Sequence, residues 1–229
     1  KQKSDSRRAV LQMWNVEDDL LKIDTSKDVC CNLSVVFQVR PIRAVEPTSE
    51  IGDPEFVQTG EVLDMTVFNR SNDIVWGLLG ANVVHFSYLL EHMAIQIGVE
   101  VGKQYHVSTN AHIYTDSNSR YTPVEWLSAD QSIESDWKYP EPSYLDLITD
   151  QDLELFINEN PREEPDPHVS YQSQYLTNTV QPAMDAFRNH KKRDYTVALD
   201  YCDMISSRDW RAACKTWITK RYTNWRKKQ

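Results

Sequence analysis

The stretch that decides the fold runs from residue 61 to residue 98 and reads EVLDMTVFNRSNDIVWGLLGANVVHFSYLLEHMAIQIG. Its first part, residues 61–69, alternates between apolar and polar side chains, which predicts a half-buried β-strand. From Val83 to Ile97 the apolar residues recur at helical spacing, and Gly98 is a typical helix end. The stretch therefore predicts a strand, a polar connection and a helix buried along one face.

Further strands are predicted on both sides of this stretch. Residues 31–40 are rich in β-branched and aromatic side chains, and residues 9–14 form an apolar run with mixed burial. Residues 99–110 predict a strand that continues into residues 111–114. The prolines, glycines and acids of residues 41–60 predict a long loop or hairpin. Strands arranged around one buried helix, with helices later in the chain, indicate the α+β class.

The second half of the chain differs in composition from the first. Residues 121–170 are acidic and contain prolines, with one short periodic piece at residues 144–157, which is typical of a connecting region. Residues 171–229 carry apolar side chains at helical spacing and predict a helical C-terminal extension. Residues 1–120 are then expected to form the functional core.

Composition and charge exclude several classes of protein. The 229 residues are 40% hydrophobic and 26% charged, which is typical of a globular chain and not of a disordered one. The 25 Lys and Arg against 34 Asp and Glu give a net charge of −9, which argues against a general nucleic-acid binder. The sequence has no run of about 18 apolar residues, so it predicts no membrane span.

The cysteines and the N-terminus suggest where the protein works and what this chain lacks. Its 4 cysteines have neither the spacing of a zinc site nor the density of a disulfide framework, which favours a reducing, cytoplasmic location. The chain begins at Lys1, and a functional-looking motif follows within a few residues. We therefore expect it to be a piece of a longer protein.

Three side chains have both a structural and a chemical interpretation. Cys31, at the head of a strand, is either a small buried hydrophobic residue or a nucleophile whose thiolate nearby cations stabilise. His112 and Tyr114 lie two positions apart on a strand and therefore point to the same face. Each is either part of the packing or part of a site.

Two arginine-containing segments could grip a phosphate. Residues 69–73 read as a turn, yet Arg70 and Ser71 together offer a bidentate fork and a hydroxyl, which suit a phosphate group. Arg7 and Arg8 offer a second fork, or they are solvated surface residues.

These pieces resemble one family, thymidylate synthase and its relatives the pyrimidine-nucleotide hydroxymethylases, and this chain resembles a divergent, phage-like member. Four motifs follow the family's order and span residues 5–114. They are Asp5-Ser6-Arg7-Arg8 with the strand that ends at Trp14-Asn15-Val16, then Cys31-Asn32-Leu33-Ser34, then Arg70-Ser71-Asn72-Asp73 with Gly77 and Asn82, and last Asn110-Ala111-His112-Ile113-Tyr114. The resemblance implies a mixed sheet packed on a long buried helix, and it fades beyond about residue 120.

The resemblance also implies a role for each matched residue. Cys31 would add as a thiolate to C6 of the pyrimidine, so that C5 attacks the one-carbon unit of 5,10-methylenetetrahydrofolate. Asp73 would assist proton movement and folate binding. The other implied contacts are Arg70 and Ser71 to the 5′-phosphate, Arg7 and Arg8 to the phosphate of the partner's site in an obligate homodimer, His112 and Tyr114 to the ribose hydroxyl, and Trp76 and Gly77 to the folate.

Asn82 is the predicted reader of the base. A carboxamide presents one acceptor and one donor, which match N3–H and O4 of uracil. The cytosine-specific relatives carry an Asp at this place, so the resemblance predicts dUMP in preference to dCMP. Asn82 would open the long helix.

The sequence departs from the family pattern in four places. Val36 stands where the family has a glutamine, and residues 41–60 resemble an insertion. The family's N-terminal portion is expected to be absent, and no closing C-terminal segment is recognisable.

The resemblance predicts methyl transfer to dUMP, which gives dTMP. One alternative is a hydroxymethylase of dUMP or dCMP, in which water adds to the same methylene intermediate. A second alternative is a non-catalytic binding or assembly protein derived from the family. The basic tail, Arg221 to Lys228, is either a solvated helix end or a contact for nucleic acid, an anionic folate tail or another protein.

Overall fold

The computed structural model describes residues 6, 8–20, 29–46, 55–114, 145–159 and 169–227. The chain divides into two compact units, residues 1–129 and residues 130–229, and each is described by itself.

The first unit is built on a mixed sheet of four strands. Its strands are β1 (Val10–Gln12), β2 (Asn32–Glu46), β3 (Glu55–Asn69) and β5 (Glu100–Ser108), side by side in that order. β2 runs antiparallel to both of its neighbours, β1 and β3, and β5 is parallel to β3. The helix α1 (Asn82–Ile97) connects β3 to β5. The predicted α+β class, with a mixed sheet packed on a long helix, is confirmed.

The core of this unit lies between the sheet and α1. Every second residue of β2 and β3 points towards the helix, and α1 contributes residues four positions apart, which is the spacing of one helix face. The buried residues are Val35, Phe37, Leu63, Met65, Val67, Phe86, Leu90 and Ala94. The helix ends at Gly98, whose φ of 76° lies in the left-handed region that favours glycine.

The hairpin between β2 and β3 is longer than predicted, because strand structure continues to Glu46 and resumes at Glu55. Pro41 lies inside β2, opposite Glu61. In the described residues β1 pairs only with Ser34 to Val36, so β2 is an edge strand at Pro41, where proline is tolerated.

The predicted continuous strand over residues 99–114 is wrong, because it breaks after Ser108. Residues 111 and 112 form a separate short strand, β6 (Ala111–His112), which pairs in parallel with β4 (Asn72–Asp73). Backbone hydrogen bonds from Thr109 to Asn69 and from Asn72 to Asn110 fix the break. The break places His112 beside the end of β3 instead of further along β5.

One helical stretch, Ile74–Ile97, is long and apolar enough to cross a membrane by length and composition alone. Core helices of soluble proteins pass the same test, and Phe86, Leu90 and Ala94 of this stretch pack on the sheet. The absence of a membrane segment therefore stays a prediction.

The second unit is helical in its described part. It contains α2 (Asp150–Glu159), α3 (Gln181–Lys191), α4 (Tyr195–Met204) and α5 (Arg208–Arg226). Its core joins Ala186, Tyr195, Ala198, Cys202, Ile205 and Ile218. Most of the predicted connecting region, residues 121–144 and 160–168, lies outside the described residues. The division into three segments stays a prediction.

Candidate active site

A cleft of about 670 Å³ opens in the first unit, where the loop before β2, the segment around β4, the start of α1 and the end of β6 meet. Its lining residues are Asp19, Val29, Cys30, Cys31, Asn32, Ser71, Asn72, Asp73, Trp76, Gly77, Asn82, His112 and Tyr114. Eight of the predicted site residues are in this set. The cleft is large enough for a nucleotide.

Two adjacent cysteines, Cys30 and Cys31, lie directly before β2. Cys31 is half-buried, and its Sγ lies 3.8 Å from the carbonyl oxygen of Val29. The Sγ of Cys30 lies 3.1 Å from the carbonyl oxygen of Asn32. The backbone N–H of Cys30 donates to Asp19 at 3.4 Å, which ties this loop to the segment after β1. Both thiols line the same cleft.

Arg70 contacts the cysteine loop directly. Its guanidinium donates from Nε to the carbonyl of Cys30 and from Nη2 to the carbonyl of Val29, both at 3.0 Å, and its backbone N–H donates to Cys31 at 3.0 Å. These side-chain bonds use two of the five N–H groups of the guanidinium. Arg70 therefore holds the loop that carries both cysteines.

Ser71, His112 and Tyr114 form one side of the cleft. The parallel pairing of β4 with β6 places Ser71 Oγ 3.5 Å from Nδ1 of His112. The rings of His112 and Tyr114 meet edge to face, with centroids 4.9 Å apart. A hydroxyl, an imidazole and a phenol thus lie in a row, which suits hydrogen bonding to a sugar and its phosphate.

Asp73 begins the turn that carries Trp76. Its carboxylate accepts a hydrogen bond from the backbone N–H of Trp76 at 2.5 Å, as an N-cap of the helical segment Ile74–Ala81. Trp76 is 62% exposed although it is a large aromatic residue, and Gly77 next to it is buried. An exposed indole face beside a carboxylate is a platform for a flat heterocycle.

Asn82 is the first residue of α1, and its side-chain amide is hydrogen-bonded to Asn72. Its Nδ2 donates to Oδ1 of Asn72 at 3.2 Å, and Nδ2 of Asn72 donates to Oγ of Ser108 at 3.4 Å. Asn72 is 2% exposed. A Cβ at Gly77 would lie 2.0 Å from Oδ1 of Asn72, so only glycine leaves room for this bond.

The strand β5 adds a neutral histidine beneath α1. His106 is half-buried, lies edge to face against Phe86, and its Nε2 is 2.6 Å from Nε2 of Gln104. Burial lowers the pKa of His106 below its usual value, because the imidazolium is poorly solvated there. Within the described residues no group of three or more His, Cys, Asp or Glu side chains is placed to hold a metal ion.

The structure does not bring the arginine pair to this cleft. Arg7 lies outside the described residues, and Arg8 is exposed just before β1 and is not among the lining residues. Their predicted contact with a partner's site stays a prediction.

Sequence reasoning missed five lining residues, namely Asp19, Val29, Cys30, Asn32 and Asn72. Asn72 stands inside a motif that was recognised, so its position was a usable signal. No sequence signal marks Asp19, because it is one of three consecutive acids, Glu17 to Asp19, and such a run is typical of a solvated surface.

The fold and cleft define an α+β protein with a nucleotide-sized, cysteine-lined site. The chain belongs to the thymidylate synthase family, whose model matches residues 1–190. This match continues past residue 120, where the recognisable motifs end.

Two phage proteins are among its relatives. A deoxyuridylate hydroxymethyltransferase of Pseudomonas phage M6 is 33% identical over 236 residues, which cover 96% of this chain and 60% of that protein. A deoxyuridylate hydroxymethyltransferase of Bacillus phage SP01 is 39% identical over 112 residues, 49% of this chain and 24% of that protein. The chain therefore spans less than two thirds of the length of either relative.

Proposed function

We propose that the protein transfers a one-carbon unit from 5,10-methylenetetrahydrofolate to C5 of dUMP and releases 5-hydroxymethyl-dUMP. The observation that carries the proposal is the single cleft that gathers Cys31, Asn82 and His112 from three distant parts of the sequence. Each of them has the chemistry that its role in the family requires.

The residues of the cleft divide the work between binding and reaction. Ser71 binds the 5′-phosphate together with Arg70, which is not a lining residue but contacts the cysteine loop that lines the cleft. His112 with Tyr114 binds the ribose hydroxyl. The Cys31 thiolate adds to C6 of the uracil, which moves the electron pair of the 5,6 double bond to C5 and the O4 enolate and makes C5 a nucleophile. C5 loses its proton when the exocyclic methylene forms, and departure of the thiolate after the addition at the methylene restores the 5,6 double bond.

The far side of the cleft fits a folate. Trp76 offers an exposed aromatic face, Gly77 allows close approach, and Asp73 supplies a carboxylate. Methylenetetrahydrofolate, when bound, supplies the one-carbon unit, and in methyl transfer it also supplies a hydride. Asp73 would assist proton movement and folate binding, and its carboxylate also caps the turn of Trp76.

The names of the phage relatives favour hydroxymethyl transfer over methyl transfer. The two reactions separate after the exocyclic methylene has formed on C5. Water that adds to this methylene gives a hydroxymethyl group without redox change, whereas a hydride gives a methyl group. Methyl transfer, the reaction in the family's name, is the second candidate.

One assay separates these outcomes. The protein is incubated with methylenetetrahydrofolate and either dUMP or dCMP, the nucleotide is identified by mass spectrometry, and dihydrofolate is followed by absorbance. We expect hydroxymethyl-dUMP without dihydrofolate. Dihydrofolate formed in step with dTMP would establish methyl transfer instead. Nucleotide binding without any product would support the non-catalytic alternative.

We also propose a homodimer with shared sites. The sheet face opposite α1 carries exposed apolar residues, with Val10 at 54%, Tyr105 at 47% and Val107 at 47% exposure. Patches of this kind are typical of interfaces. Arg8 does not line the cleft of its own chain, and we infer that it serves the cleft of another copy.

Hybrid dimers test the shared site. A Cys31→Ala chain and an Arg8→Ala chain, each inactive alone, are mixed after mild denaturation and refolded. If Arg8 serves the partner's cleft, half of the dimers are hybrids with one intact site, and about a quarter of the normal activity returns. If Arg8 serves its own cleft, no site is repaired in this way, because one site of every hybrid then lacks Cys31 and the other lacks Arg8.

A further inference from the structure

The amide of Asn82 is the start of a hydrogen-bond chain that leads from the cleft into the protein. Asn72 Oδ1 accepts from Asn82 Nδ2 at 3.2 Å, and Asn72 Nδ2 donates to Ser108 Oγ at 3.4 Å. We propose that Asn72 is a positioning residue that sets the orientation of the Asn82 carboxamide and thereby selects uracil over cytosine. This inference rests on the proposed nucleotide function.

The bond to Asn72 fixes the orientation of the Asn82 amide, because it requires Nδ2 and not Oδ1 to face Asn72. With one N–H of Nδ2 donated to Asn72, Asn82 keeps its Oδ1 and its second N–H for the base. A half-turn of the Asn82 amide alone would place its oxygen against Oδ1 of Asn72. Two acceptors would then face each other in a largely buried place, which costs the bond and adds repulsion. Asn82 therefore cannot turn alone.

Asn72 itself has little room to turn. It is 2% exposed, and its backbone N–H donates to the carbonyl of Asn110 at 2.8 Å. The backbone of Gly77 lies so close that an added Cβ there would come within 2.0 Å of Asn72 Oδ1. The hydroxyl of Ser108 is able to donate as well as accept, so Ser108 anchors the chain without giving it a direction.

The fixed orientation has a consequence for base choice. Uracil presents a donor at N3 and an acceptor at O4, whereas cytosine presents an acceptor at N3 and a donor at N4. An amide held in one orientation satisfies one of these patterns and leaves the other with facing donors and facing acceptors. A site that is built to hydrogen-bond one pattern discriminates against the other.

Binding measurements test the inference without any need for turnover. Dissociation constants for dUMP and dCMP are measured by calorimetry for the 229-residue chain and for Asn72→Leu and Asn72→Asp. Leucine has a similar shape but no acceptor, so we expect the dUMP-over-dCMP preference to fall about 3- to 10-fold, the size of one neutral hydrogen bond. An ionised aspartate still accepts from Asn82, and the Ser108 hydroxyl is then able to donate to it. Asn72→Asp should therefore retain the preference.

A surface amide pair supplies the matched control. Nδ2 of Asn178 donates to Oε1 of Gln174 at 2.9 Å in the helical unit, and Asn178 is exposed. Asn178→Leu removes the same kind of bond and should change neither dissociation constant.

Three results would overturn the inference. If Asn72→Leu weakens dUMP and dCMP equally, Asn72 is only structural. If Asn72→Leu does not fold, Asn72→Ala replaces it, since a smaller side chain removes the same acceptor, and an unchanged preference is then decisive against the inference. If the unaltered chain binds neither nucleotide, the proposed function fails and the inference fails with it. If the unaltered chain binds dUMP in preference to dCMP, the proposed function stands, and a failure in the variants then counts against the role of Asn72 alone.

Discussion

The guanidinium of Arg70 donates from Nε to the backbone carbonyl of Cys30 at 3.0 Å, across forty residues of sequence. The bond joins the end of β3 to the loop that carries both cysteines of the cleft. An arginine that the sequence motif assigns to phosphate binding thus also supports the loop of Cys30 and Cys31. Its loss should affect the thiols as well as the nucleotide.

Arg70→Lys should lower kcat/KM for dUMP by about 10- to 100-fold, because one ammonium group cannot span two carbonyls and bind a phosphate. The rate at which iodoacetamide labels Cys31 should change as well, measured by peptide mass spectrometry with Cys214 as the internal reference. Arg211→Lys is the matched control, since its guanidinium also binds two carbonyls, those of Ile205 and Ser206, outside the cleft. An Arg70→Lys variant with an unchanged labelling rate would limit Arg70 to phosphate binding.

Cys31→Ala should abolish turnover, because it removes the atom that bonds to C6, while dUMP binding stays within a few-fold of normal. Cys30→Ala should keep measurable turnover, since Cys30 lines the cleft without a predicted role in the chemistry. Steady-state assays and calorimetry on both variants decide this. The opposite pattern, with Cys30→Ala inactive and Cys31→Ala active, would exchange the two assignments.

Gly77→Ala should weaken dUMP binding about 10-fold or more, because its Cβ would collide with Asn72 Oδ1 and break the bond to Asn82. Gly98→Ala is the comparison variant, because it strains a left-handed residue outside the cleft, at a cost of about 1–2 kcal/mol in the free energy of unfolding. Thermal melting and dUMP titration should therefore separate the two variants. Equal dUMP affinities for both would count against the close approach at Gly77.

Asn82→Asp should move the preference from dUMP towards dCMP by at least about 10-fold in the ratio of kcat/KM values. A carboxylate offers acceptors alone, which suit the amino group of cytosine and oppose O4 of uracil. Parallel assays with the two nucleotides measure the ratio. A ratio that does not move would remove Asn82 as the reader of the base.

The stability of the helical unit should decrease in acid through Asp152. Burial by itself raises the pKa of this carboxyl, but hydrogen bonds from the backbone of Thr149 and Gln172 and from the Thr149 hydroxyl outweigh burial and lower it. A pKa that is lower in the folded than in the unfolded state stabilises the fold above the usual carboxyl range. This contribution is lost as the pH falls through the folded-state pKa.

Asp152→Asn should therefore lower the free energy of unfolding by about 2 kcal/mol at neutral pH and flatten its fall in acid. Urea titrations from neutral pH down to about pH 3 measure both effects. Asp150→Asn, at an exposed carboxyl in the same helix, is the control. An Asp152→Asn variant with the same acid dependence as the unaltered chain would contradict this account.

Much of the site could be predicted from sequence because each motif is local. Residues 70–73 and 110–114 carry their side-chain chemistry in short runs, and the helix over residues 83–97 follows from apolar spacing within one element. The comparison with the family model agrees with that resemblance. Local patterns of this kind need no knowledge of what packs against them.

The break after Ser108 shows where such patterns stop being informative. Residues 99–114 alternate as one strand would, yet the backbone turns at Thr109 and Asn110 because their polar groups bond to Asn69 and Asn72. These bonds depend on which strand lies next to β5, and that is a property of the whole sheet. Asn72 was overlooked for the same reason, since its partners lie at Asn82 and Ser108.

By itself the sequence determined the element types, the apolar face of α1 and the set of side chains capable of the chemistry. Tertiary structure alone decided how those side chains are used: Arg70 supports the cysteine loop, Asn72 holds Asn82, and Arg8 stays away from the cleft of its own chain. The physical reason is range. Periodicity and turn preferences act over a few residues, whereas a hydrogen bond across forty residues forms only after sheet register has brought its two atoms within about 3 Å.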